Sequence, residues 1–177
     1  MVQATGGSLS GFATFRPVIL DGSASVNAGY SVRITLDTAS LVGAGEIQSD
    51  GDDLAVAWFN GSAWSEIDAH LRTPGDQTVA SSTQTQVWFA VQEPAGIASF
   101  PHTGAYRLYY DNPSAVLGDR LRDAGNVYRF FDDFPGSTVD SSVWYVDPED
   151  QDGVSVGNSA ITIDGVTGNA SKPGAIA

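Results

Sequence analysis

The stretch "EIDAH", Glu66 to His70, spaces two carboxylates and an imidazole at every second position. Side chains alternate along an extended strand, so Glu66, Asp68 and His70 are expected on one face, as ligand-binding residues or as a plain solvated surface. Two carboxylates with an imidazole also suit a metal ion. "SDGDDL" (49–54) clusters Asp50, Asp52 and Asp53 about a glycine. With turn carbonyls these oxygens suit a hard cation such as Ca2+. The same letters equally suit an Asp/Gly turn entering a strand. "DPEDQDG" (147–153) is a second acidic loop, with Pro148 where a first calcium ligand would stand. "WFNGSAW" (58–64) sets three large rings about a hairpin tip. Apolar sugar faces stack on such rings when they are exposed. Leu54, Val56 and Trp58 alternate, which assigns Trp58 to the core and leaves Phe59 and Trp64 as the exposed ligand-binding candidates. Trp88 and Tyr109 are out of step with their neighbours and are expected between sheets. His102, in "FPHTG", reads as an isolated loop histidine. The sequence contains no Gly-x-Ser-x-Gly elbow, P-loop, HExxH or dinucleotide fingerprint.

The elements that must position these residues are short strands. "FATFRPVIL" (12–20) carries Pro17, which suits an edge or a bulge. In "YSVRITLD" (30–37), Tyr30, Val32, Ile34 and Leu36 face one way and the polar residues the other, as in a half-buried strand. "TASLVG" suggests a helical turn around Leu41. Asn60-Gly61 is a favoured two-residue hairpin pair. "TQVWFAVQ" (85–92) and "GAYRLYYDN" (104–112) are further strands. "NVYRFFDDF", "SVWYVD" and "GVSVGNSAITIDG" follow Gly125. With 20 Gly and 8 Pro punctuating the chain and no long amphipathic helix, the pattern predicts an all-β protein: an antiparallel β-sandwich or jelly roll with extra C-terminal strands. The expected parts are a flexible arm at 1–11, a sandwich at 12–128 and a partial segment at 129–177.

Composition narrows the function. The 177 residues include 21 acidic and 8 basic side chains, a net charge of −13. That argues against nucleic acid and anionic membrane surfaces as partners. No apolar run approaches a membrane span, so no membrane insertion is expected. With no cysteine, disulfides and Cys-ligated zinc are excluded.

The pieces "FRPVIL", "YSVRITLDTASL", "SDGDDLAV", "TQVWFAV" and "YRLYYDNPSA" together resemble a bacterial domain-of-unknown-function family of large secreted proteins. The resemblance covers residues 12–115. That family commonly precedes a concanavalin A-like, laminin-G-like jelly roll. Asp111 stands where the family's "YYGN" ending usually has glycine. "FFDDFPGSTVDSSVWYV…GVSVGNSAITIDG" (130–165) is similar to the opening strands of such a jelly roll. The resemblance implies a truncated second domain, whose strands complete a sheet on the first domain or on a neighbouring chain, or which is a cut or degenerate piece. "EIDAH" also resembles the Glu-Ile-Asp run of laminarinase-type glycoside hydrolases, whose retaining mechanism uses two carboxyls about 5 Å apart. Here His70 replaces the second Glu, and the run precedes the concanavalin-like opening.

These readings converge on a non-catalytic surface or adhesion module, extracellular or on a virion surface. Its partner would be a glycan or a protein surface, and no cofactor is expected beyond possible Ca2+. The alternative is a structural subunit of a filament, sheath or virion surface, self-assembled through its C-terminal strands. Light scattering separates the two, because a monomer at nanomolar concentration excludes assembly. A glycoside hydrolase is the third reading.

Overall fold

Period-two alternation builds most of the regular structure. The computed structural model describes residues 8–116, 120–132, 134, 136–145, 154–157 and 160–163. The chain divides into two units, Met1–Phe130 and Phe131–Ala177.

In the first unit the elements run β1 (Thr14–Leu20), β2 (Ser31–Leu36), α1 (Thr38–Gly43), β3 (Ala55–Phe59), β4 (Trp64–Ile67), β5 (Ala69–Arg72), β6 (Thr85–Ala90), β7 (His102–Tyr110) and α2 (Ala124–Val127). A four-stranded sheet has the order β1-β7-β3-β4 and a three-stranded sheet the order β2-β6-β5. Every pairing is antiparallel. Val18, Val56, Ile67, Tyr106 and Leu108 of the first sheet share one buried cluster with Ala69, Val87 and Phe89 of the second. This is the all-β sandwich that the alternation implies.

Pro17 sits on β1, an edge strand whose register shifts between Val18 and Leu20. An edge tolerates the missing N–H, as the sequence suggested. The turn at Leu41 is α1, capped by Asp37, whose Oδ1 accepts from the Ser40 N–H at 3.0 Å. Hydrogen bonds from the Ser40 amide and hydroxyl hold the Asp37 carboxyl below its ordinary range.

Three expectations change. The hairpin loop is not the two-residue turn: Phe59 pairs directly with Trp64 across a four-residue loop. Asn60 causes this, because its Oδ1 accepts from the Ser62 and Ala63 amides and the Ser62 hydroxyl. Tyr109 and Trp88 do not pack between the sheets. Alternation along β7 and β6 turns them to the outer faces, away from Tyr106, Leu108, Val87 and Phe89. Ala124–Val127, overlapping the start of the strand piece "NVYRFFDDF", form a helical turn, because Asp123 caps it by accepting from the Gly125 N–H at 2.8 Å.

Asp111 has φ +63°, the left-handed region that glycine enters without penalty. That geometry accounts for a glycine at this position in the resembling family. Here Asp111 is tied by Ala13 N–H donating to its carbonyl and by the Thr14 hydroxyl donating to Oδ2.

In the second unit β8 (Val154–Gly157) and β9 (Ala160–Ile163) pair antiparallel as a two-stranded sheet. Trp144 stacks on Phe134 at 5.7 Å, and its Nε1 donates to Asp132 Oδ2. The loop "DPEDQDG" lies outside the described residues.

Candidate functional site

Glu66, Asp68 and His70 do not share one strand face. The chain passes from one sheet to the other at Asp68, between β4 and β5, so the alternation restarts there. Glu66 lies on the outer face of the four-stranded sheet, opposite Ala57. His70 lies on the outer face of the three-stranded sheet, opposite Trp88.

What unites the three residues is the segment 120–128, which each of them anchors. Glu66 Oε2 accepts from Arg120 Nη1 at 3.0 Å, and Oε1 from the Leu121 N–H at 3.1 Å. Asp68 Oδ1 accepts from the Asp123 N–H at 2.8 Å, and Oδ2 from Asn126 Nδ2 at 3.0 Å. His70 Nδ1 lies 3.1 Å from the Tyr128 hydroxyl. The Ala69 N–H donates to the Leu121 carbonyl, and the Ser31 hydroxyl to that of Val127. A cleft of about 370 Å3 remains beside Glu66, Asp68, Gln92 and Asn126. All four oxygens of the two carboxylates therefore take donors from within the fold.

The acidic turn behaves similarly. Asp50 Oδ1 accepts from the Asp52 N–H, and the left-handed Gly51 (φ +77°) makes the turn. Asp53 is buried, 1% exposed, and its Oδ1 accepts from the Gln48 N–H at 2.9 Å. Among the described residues no three His, Asp or Glu side chains are grouped to hold a metal ion. The cation near this turn is Arg122, whose Nη2 donates to the carbonyls of Leu54 and Gly51. Burial pulls its pKa down, while the charges of Glu66, Asp52 and Asp68 push it up. Arg120 and Arg122 are the partners that sequence reasoning missed. The alternation of basic and acidic letters in "DRLRD" (119–123) was the available signal.

Phe59 and Trp64 do share the outer face of the four-stranded sheet, but Trp64 is not exposed: 8% of it is accessible. Neighbouring strands cover it. Phe59 lies against it with centroids 5.3 Å apart, and the Arg107 guanidinium sits 4.0 Å from its centroid. The same guanidinium is 3.9 Å from the centroid of Phe15, which is 42% exposed. Tyr109, fully buried on this face, meets Phe12 and Phe15. Arg120 lies 4.8 Å from the centroid of Phe12. Trp58, assigned to the core, is partly buried against it.

His102 is the first residue of β7, and its Nε2 lies 2.8 Å from Glu93 Oε1. The Tyr106 hydroxyl donates to Glu93 Oε2 and accepts from the Gln92 N–H. Burial pushes Tyr106 far above its ordinary pKa, so it remains a donor.

His70 gives a stability prediction. Burial, and then the charge of Arg72, hold its imidazole below its ordinary 6.5. The unfolded chain thus binds a proton near pH 6.5 that the fold refuses. Its contribution is complete above the unfolded pKa and is lost as pH falls below it. Chemical denaturation from about pH 7.5 to 5.5 should show falling stability, with a smaller fall in His70→Gln. An equal fall in that variant would remove His70 as the cause.

Among the described residues no helix is long and apolar enough to cross a membrane. No curated protein and no solved structure matches the chain. Residues 75–147 match the family model described as Domain of unknown function (DUF2341). The match includes "TQVWFAV" and "YRLYYDNPSA" but starts after the first three resembling pieces and continues past residue 115, where the resemblance ended. It takes in β6, β7 and the 120–128 segment, so this central stretch is similar to a domain-of-unknown-function family.

Proposed function

We propose that the chain is a non-catalytic extracellular surface or adhesion module that recognises glycan through the outer face of its four-stranded sheet. The observation that carries this reading is the aromatic outer face. Outward positions of a sandwich strand are ordinarily polar. Here Phe12, Phe15, Phe59, Trp64 and Tyr109 gather on the side opposite the main core. Buried Trp64 and Tyr109 stiffen a platform whose accessible rings are Phe15 and, in part, Phe12 and Phe59. Rigid rings stack on apolar sugar faces at small entropic cost.

The non-catalytic part is supported by the carboxylates of Glu66 and Asp68, each satisfied by two internal donors. A retaining hydrolase instead needs both groups facing substrate. The extracellular part is supported by the resemblance to secreted proteins in which such a domain precedes a concanavalin A-like jelly roll.

A glycan-array screen of the full chain tests the reading. At least one glycan should bind, and Phe15→Ala should weaken it about tenfold, as loss of a stacking ring does. An array without binders, or binding untouched by Phe15→Ala and Phe59→Ala, overturns it.

A further inference from the structure

We propose that Arg107 makes this face selective for acidic sugars, so that the ligand class is a uronic acid-containing oligosaccharide. The inference rests on the glycan-recognition reading above. The ion pairs among the described residues are Arg16–Glu46, His102–Glu93 and Arg120–Glu66. Arg107, like Arg33, Arg72, Arg122 and Arg129, is in none of them, and what sets it apart is its place between two rings of the outer face. Its Nη1 donates to the Tyr109 hydroxyl at 3.1 Å. Among the described residues the buried side-chain nitrogens without a partner are Trp64 Nε1, Arg120 Nε and Arg122 Nη1. The Nε and Nη2 of Arg107 are not among them, and the residue is partly buried, so each keeps some contact with solvent.

The guanidinium is held between Phe15 at 3.9 Å and Trp64 at 4.0 Å. Rings hold a guanidinium plane without neutralising its charge. The rotamer freedom that Arg normally loses on binding is thus already lost. What remains is an in-plane N–H edge, which suits a carboxylate. On the same strand faces the other charged group is Glu66, which is paired with Arg120, so Arg107 is the charge on these strands without a counter-ion. At physiological salt the screening length is about 8 Å, so exposed carboxylates farther away than that weigh little on a ligand touching Arg107. Phe15 carries Arg107 over one ring face and is 42% exposed, so its open side is what it offers to the pyranose that bears the carboxylate. A bare acidic peptide would use the charge but not the ring plane.

Calorimetry with the full chain tests this. The probes are oligosaccharides of polygalacturonate, alginate and hyaluronate, the methyl ester of the galacturonate oligosaccharide, neutral cello- and laminari-oligosaccharides, and hexaglutamate. At least one acidic oligosaccharide should bind. Arg107→Gln should weaken it about tenfold or more, and Arg107→Lys less, because lysine keeps the charge and loses the fork. If Arg107→Gln also lowers the melting temperature, the test passes to the wild-type chain: binding to the acid but not to its ester or to neutral sugars supports the inference. Neutral sugars bound as tightly as acidic ones overturn it while leaving glycan recognition standing. Hexaglutamate bound as tightly overturns it in favour of a peptide partner. An unaltered affinity in a folded Arg107→Gln chain overturns it as well. No binding to any sugar overturns both readings.

Discussion

Glu66→Ala should lower the unfolding free energy by about 3–5 kcal/mol, the cost of removing one partner of a buried ion pair. Glu66 and Arg120 are both largely buried, with side chains 16% and 9% exposed. Alanine leaves the guanidinium of Arg120 without its carboxylate and the Leu121 N–H without its acceptor. Arg122 also loses the favourable charge that offsets its burial. Urea denaturation should therefore show a lower midpoint, with melting on the order of 10 °C earlier. Glu66→Gln keeps an acceptor for Leu121 and should cost less. Glu66→Leu combined with Arg120→Met should cost less than Glu66→Ala alone, since an apolar pair leaves no buried charge. A loss under about 1 kcal/mol for Glu66→Ala would mean that the pair behaves like an exposed one.

Phe89→Ala should cost about as much, roughly 3–5 kcal/mol, by a different route. Phe89 is 0% exposed at the centre of the sandwich. It stands opposite Val32 on one side and Ala69 on the other, and its ring lies 5.2 Å from that of Tyr106 in the facing sheet. Strands paired on both sides cannot collapse into the space a lost ring leaves, so the cavity persists. Equilibrium denaturation measures the loss. Phe89→Leu, which keeps most of the volume, should cost under about 1.5 kcal/mol. Equal losses in the two variants would show that cavity volume is not the cause.

Local alternation was enough to read the strands. "YSVRITLD" became β2 with Val32, Ile34 and Leu36 against the core. "TQVWFAV" and "GAYRLYY" became β6 and β7, and Asp37 capped the predicted turn at Leu41. These outcomes depend on side-chain parity and short-range hydrogen bonds, which a few neighbouring letters encode. The same parity, taken strictly, also places Trp88 and Tyr109 outside. Assigning two large rings to the space between the sheets overrode that parity in favour of hydrophobicity.

The candidate site was legible only in part. Glu66, Asp68 and His70 were recognisable as side chains with work to do, but their partners lie more than fifty residues away, on the segment 120–128. Nothing in "EIDAH" says that the chain changes sheets at Asp68. That corner exists because two sheets pack face to face, which is a property of the whole fold. The burial of Trp64 was likewise undetermined by "WFNGSAW", because its cover includes Arg107, from the distant strand β7. The class of fold, the faces of regular strands such as β2 and the sign of the charge were readable from the letters alone, because all are local or additive quantities. Only the folded chain settles which carboxylates meet guanidinium groups and which arginine lies between two rings, because those pairings depend on contacts between distant strands.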